Sequence, residues 1–197
     1  MKSEVKGVWF ATARRFVRER YGPEAHEAIA AAVDAEHHDT IAEPLASDWY
    51  PEEALQQGMA AMGRILAHGD AERLGLALEA CTDLGINHFF RALLRLGSPA
   101  MVLRKVPTMW SLIRRGAAVV TADADDEQAT IRYENFPYFY DANYRLMTLA
   151  SLRTVVRICA GRVPRLDIVS YERDALSVQV VYDPSSTPRM RRDSTPP

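Results

Sequence analysis

Five histidines, two cysteines and a late run of aromatic residues are the side chains of this sequence with most chemistry to offer. His37, His38 and Asp39 stand together, but adjacent residues point to different sides, whereas zinc asks for ligands at i and i+4 or on a loop of converging donors. That trio reads as a solvated helix end. His88 lies among Ile86, Phe89 and Leu93 beside a possible helix break, where it faces a pocket or is an ordinary hydrogen-bonded histidine at the core margin. Trp110, Tyr133, Phe136, Tyr138, Phe139, Tyr140 and Tyr144 can line an apolar cavity with hydroxyl handles, or form a core seam between a sheet and the final helix, the more ordinary outcome for aromatics. The candidate ligand-binding set is therefore His88, Trp110, Tyr138, Tyr140 and Tyr144. An enzyme built on these residues would pair His88 with a tyrosine from the 133–144 stretch, within hydrogen-bond reach.

Other chemistries leave no trace. Neither Gly-x-Gly-x-x-Gly nor Gly-x-x-x-x-Gly-Lys occurs, and there is no Gly-x-Ser-x-Gly elbow. Cys81 and Cys159 lie far apart in apolar helical contexts and read as buried, reduced thiols. No catalytic residue, metal ligand or cofactor is expected. With 24 Lys plus Arg against 26 Asp plus Glu, the formal charge of −2 lacks the basic excess that drives phosphate-backbone binding, so nucleic acid is not an expected partner. Only Lys2, Lys6 and Lys105 are lysines, and an arginine-rich positive side favours fixed pairs to carboxylates. The opening residues carry no apolar signal core and no run reaches the roughly 20 apolar residues of a membrane span, so a cytoplasmic protein is expected.

The elements that must hold these residues follow from hydrophobic periodicity. Val5, Val8, Trp9, Phe16 and Val17 recur at helical spacing up to Arg20, and Gly22-Pro23 ends that helix and starts another, expected to run to about Glu36. Residues 37–51 read as a connector before a helix that buries Leu55, Met59, Met62, Ile65 and Leu66. Asp70 caps the next helical stretch, residues 71–96, in which Gly75 and Gly85 predict close helix approach or a break near Gly85. Ser98-Pro99 begins a further stretch to about Arg115 that Pro107 ends or kinks. Residues 117–121 and 129–133 then make a hairpin, 143–160 the last helix, and 166–171 with 176–182 a second hairpin. The fold class is α+β: a mostly helical first two-thirds, and a small antiparallel sheet from two hairpins flanking a late helix. A single domain over residues 1–183 is expected, followed by a disordered basic tail, residues 184–197, with three Arg against one Asp.

Val5-Lys6-Gly7-Val8-Trp9-Phe10, Phe16-Val17-Arg18-Glu19-Arg20-Tyr21-Gly22-Pro23, Asp48-Trp49-Tyr50-Pro51, Leu96-Gly97-Ser98-Pro99 and Val106-Pro107-Thr108-Met109-Trp110 together resemble a paralogous family of uncharacterised proteins expanded in myxobacteria. That family is in turn distantly similar to the ligand-binding domain named after 4-vinyl reductase and to haem nitric-oxide/oxygen-binding domains. In the haem-binding family a Tyr-x-Ser-x-Arg triplet holds the propionates. Here Leu149-Ala150-Ser151-Leu152-Arg153 supplies the Ser and the Arg, with Leu149 in the tyrosine position. The resemblance implies a non-enzymatic sensory or protein-interaction domain. Its partners would be an apolar small molecule between the helices and the sheet, and a protein or a second copy of the chain; a haem gas sensor is the alternative.

Overall fold

The computed structural model describes residues 2–86, 88–160 and 164–182, without the side chains of residues 88–90 and 93. The expected tail therefore lies outside the described residues. The chain opens in strand β1 (Glu4–Lys6) before α1 (Val8–Tyr21), so the first helix starts three residues later than its apolar spacing suggests. The reason is long-range pairing: Val5 is fully buried in β1, opposite Tyr50 of β2 (Trp49–Pro51) and Arg114 of β3 (Arg114–Arg115). Gly7 makes the bend into α1. A Cβ built there would stand 2.0 Å from the Leu45 carbonyl oxygen, a position that only glycine fills.

Helix α2 (Pro23–Ala31) begins on Pro23 as expected but stops five residues short of Glu36. Gln57 explains the stop, because its side chain accepts from the Asp34 amide at 2.8 Å and donates to the Asp34 carboxylate at 2.6 Å. That pair holds Asp34 extended, and a 3-10 turn (Ala35–His37) and the short α3 (His38–Ala42) follow. Next come α4 (Glu52–Ile65), α5 (Ala71–Gly85) and α6 (His88–Leu96). Asp70 caps α5 through the amides of Glu72 and Arg73 at 2.8 and 3.1 Å, satisfying two of the four amides a helix start leaves unpaired. Both glycine expectations hold: α5 ends at Gly85, and at Gly75 a Cβ would lie 3.3 Å from Leu146. Ser98 caps α7 (Pro99–Leu103), and Pro107 sits in the first turn of α8 (Val106–Ile113), so it starts a helix instead of kinking one.

Both hairpins form. Strands β4 (Val119–Ala124) and β5 (Gln128–Glu134) precede α9 (Ala142–Ala160), and β6 (Arg165–Tyr171) and β7 (Leu176–Val181) follow it. They merge into one antiparallel sheet of order β4-β5-β7-β6, with a smaller sheet β2-β1-β3 elsewhere. Ala122, Ile131, Val178 and Ile168 lie in one cross-strand row, so the register places apolar side chains on the same face. Ile131 and Val178 are fully buried there, as are Phe139, Tyr144 and Val156 of the connector and α9. Helix α9 is thus wrapped by α4–α7, while α7 and α8 pack on β4.

Candidate functional site

Glu52 opens α4 and is completely buried, an expensive place for a carboxylate unless it is paired. Three elements converge to pair it. Arg114 Nε of β3 donates to Glu52 Oε1 at 2.9 Å, and the Tyr144 hydroxyl of α9 donates to Oε2 at 2.6 Å while lying 2.8 Å from the Glu52 carbonyl oxygen. Burial still holds the Glu52 carboxyl above its ordinary pKa, with Arg114 and the Tyr144 hydrogen bond pulling the other way. Burial and the adjacent carboxylate push the Tyr144 hydroxyl well up. The Arg114 guanidinium is stacked over Trp110 at 4.4 Å, with Trp9 and Phe136 at 5.7 and 5.8 Å. Its Nη2 is buried and has no hydrogen-bond partner among the described residues.

Beside this network is a cavity of about 160 Å³ between α1, α5, α8 and α9. Its walls include Trp9, Met109, Trp110, Met147, Leu152 and Val155, and the lining residues with polar groups are Thr82, Arg114, Tyr133, Thr148 and Ser151. Three of the hydroxyls are already engaged: Thr82 donates to Leu78 O and Thr148 to Tyr144 O, both at 2.9 Å, and Ser151 lies 3.4 Å from Thr82. A smaller void of about 50 Å³ lies among α1, α2, α4 and α5, with Trp9 and Met147 lining both spaces. His26 borders that void, hydrogen-bonded at 3.0 Å to the Ile41 carbonyl, and burial lowers its pKa.

The structure distributes the sequence-derived candidates. Trp110 lines the cavity. Tyr138 and Tyr144 are buried in an aromatic cluster with Phe136 and Phe139, ring centroids 5.0–5.5 Å apart, which is the seam arrangement. Tyr140 is 55% exposed, and its hydroxyl accepts from Gln56 at 3.0 Å. His88 begins α6, and its side chain lies outside the described residues. Sequence reasoning did not single out Glu52, Arg114, Met109 or Met147. The one available signal was Arg114-Arg115 following the apolar run of α8, where a charged pair entering a core needs a counter-charge.

No protein-family model and no curated protein matches this chain. Solved structures do. An Fe(II) unliganded H-NOX protein variant from K. algicida superposes with a TM-score of 0.63 at 12% identity, covering 89% of this chain and 95% of that one. The fold is that of H-NOX proteins. An H-NOX protein variant from S. oneidensis in the Fe(II) ligation state gives 0.63 at 10% identity, covering 89% and 95%. An oxygen-binding H-NOX domain related to soluble guanylate cyclases gives 0.60 at 13%, covering 89% and 94%.

A further matching structure, at a TM-score of 0.62 and 12% identity, probes haem distortion in the H-NOX family, so the fold implies a haem to be tested against these residues. Among the described side chains the fit fails. The cavity beside Ser151 is about 160 Å³, below the roughly 300 Å³ at which pockets for drug-sized molecules and cofactors begin. Neither an imidazole nor a thiolate is among its described lining groups, and its sulfurs are the thioethers of Met109 and Met147. The Arg114–Glu52–Tyr144 network and the two indoles occupy the neighbouring space. Cys81 and Cys159 are buried, with thiols pushed up to about 12 and about 11 by burial.

Proposed function

We propose that this chain is a non-enzymatic, cytoplasmic ligand-sensing domain that takes a small apolar molecule into the cavity between α1, α5, α8 and α9. The observation that carries the reading is the cavity itself: lined mainly by apolar side chains, and close in size to the apolar space of about 150 Å³ that accepts benzene. Two of its wall helices meet the four-stranded sheet, α8 by packing on β4 and α9 by running between β5 and β6, so a ligand there would press on elements that carry that sheet. That an oxygen-binding domain shares the fold supports a small-molecule role on this architecture. Benzene and toluene added to the purified chain should raise its melting temperature, because a ligand bound only by the folded state stabilises it by about 2.7 kcal/mol at a hundredfold excess over Kd. Filling the space with Ser151→Leu should abolish the shift. Unchanged melting with all such probes would refute the reading, and a Soret band after expression with added haem would replace it by the haem gas sensor.

A further inference from the structure

A residue that lines two voids at once is part of the wall between them. Among the described residues only Trp9 and Met147 border both the void of about 50 Å³ and the cavity of about 160 Å³. Helix α5 gives the two spaces their order: Leu78 and Cys81 border the small one, and Thr82 and Ile86, next along the same side of the helix, border the large one. At a rise of about 1.5 Å per residue those stretches are centred about 7 Å apart, so the spaces lie end to end as two chambers along α5. Their linings differ. The large chamber has polar groups on Thr82, Arg114, Tyr133, Thr148 and Ser151, whereas no hydroxyl lines the small one, whose ionisable neighbours are Arg14, His26 and Cys81. Arg14 pairs with Glu43 at 2.7 Å, and His26 is hydrogen-bonded to the Ile41 carbonyl at 3.0 Å.

We infer that the ligand is an uncharged small ring carrying an unbranched alkyl tail, with the ring in the large chamber and the tail passing Met147 into the small one, and that Met147 selects for the linear tail. This rests on the cavity being a ligand site and adds the shape of what enters it. Volume divides the molecule: since an apolar space of about 150 Å³ takes the six carbons of benzene, the large chamber holds the ring and the small one about two carbons more. Flexibility makes Met147 the moving part of the wall. Its unbranched side chain turns about three bonds and adapts to irregular space, whereas Trp9 presents a rigid indole beside the Arg114 guanidinium, 5.7 Å from it. Charge excludes an ion, because no carboxylate lines either chamber and the two arginines are already neutralised by Glu52 and Glu43. Ile29, Leu55, Met59 and Met62 close the far end, where a hydrocarbon tail gains most from leaving water.

The test compares toluene with two isomers of equal hydrocarbon content, n-butylbenzene and tert-butylbenzene, on the full chain. By calorimetry n-butylbenzene should bind about tenfold or more tighter than toluene, each methylene that reaches the small chamber being worth about fourfold, and about tenfold or more tighter than its branched isomer. Methionine methyls report where the tail lies. In protein carrying carbon-13 at those methyls, toluene should shift the Met109 and Met147 signals, and n-butylbenzene should also shift those of Met59 and Met62, which line the small chamber alone. Met147→Ile puts a stiff β-branched side chain of similar size at the wall; it should keep toluene binding and bring the isomer ratio close to one. Equal binding of the two isomers by the wild type, Met59 and Met62 signals that n-butylbenzene moves no further than toluene does, or an isomer ratio unchanged by M147I overturns the inference, and toluene binding then leaves the cavity reading standing. Should M147I fail to fold, the wild-type methyl signals decide. Tighter binding of 4-phenylbutyrate than of n-butylbenzene overturns the uncharged assignment. Failure of all three hydrocarbons to bind the wild type refutes the ligand site itself.

Discussion

Replacing Arg114 by Met is the sharpest test of the buried network. The substitution keeps most of the side chain's volume but leaves Glu52, with no exposure, without its counter-charge and with the Tyr144 hydroxyl at 2.6 Å as its remaining side-chain donor. Neither partner of the pair can relax into solvent, since their side chains are 5% and 0% exposed. Breaking such a pair from one side costs about 3–5 kcal/mol. For a domain of this size, at about 2–4 °C per kcal/mol, the melting temperature should fall on the order of 6–20 °C. The loss should also depend on pH. Burial already raises the Glu52 pKa in the folded chain against the pull of Arg114, and without Arg114 the rise must be larger. A carboxyl whose folded pKa is raised contributes stability that is complete below its unfolded pKa and is lost as pH climbs through the folded value. The deficit of R114M should therefore be smaller at about pH 5 than at about pH 8, with a slope bounded by about 1.4 kcal/mol per pH unit. Urea denaturation at both pH values measures it, and E52Q in the same background should restore most of the loss. A deficit below about 1 kcal/mol, or one equal at the two pH values, would refute the description of Glu52 as a buried carboxylate held by Arg114.

Three further outcomes are expected. Gly7→Ala would place a methyl 2.0 Å from the Leu45 carbonyl oxygen, so the bend must open; a loss of about 2 kcal/mol or more is expected in the same denaturation assay. Asp70→Ala removes the acceptor for two α5 amides and should cost about 1 kcal/mol, partly recovered by Asn, as read from thermal melts. Cys81 and Cys159 should resist a thiol reagent at pH 8 in the native state and react fully in denaturant, since burial pushes both pKa values far above that pH.

What the sequence showed and what it hid divide along the range of the interactions. Asp70, Ser98-Pro99 and the two hairpins act within a few residues, and each forms where its local pattern says it should. The three-stranded sheet was not legible. Its strands are two or three residues long, too short to show alternation, and Val5 finds its partners 45 and 109 positions away. Glu36 belongs to the same lesson, because an alanine-rich helix that propensity would continue is stopped by Gln57, 23 residues beyond Asp34. The candidate site was half visible. Trp110 and Tyr144 declared themselves as aromatics, but Glu52 is one acid among many until the fold brings Arg114 to it across 62 residues.

Two of the three tryptophans, Trp9 and Trp110, share the Arg114 guanidinium and the cavity wall, whereas Trp49 lies in β2 beneath Lys6 and Arg115. Indole emission responds to a cation held against the ring. The domain therefore carries its own optical reporter: anything that shifts Arg114 against those rings changes the light given out by the residues that enclose it, and with Trp49→Phe the remaining emission comes from those walls alone.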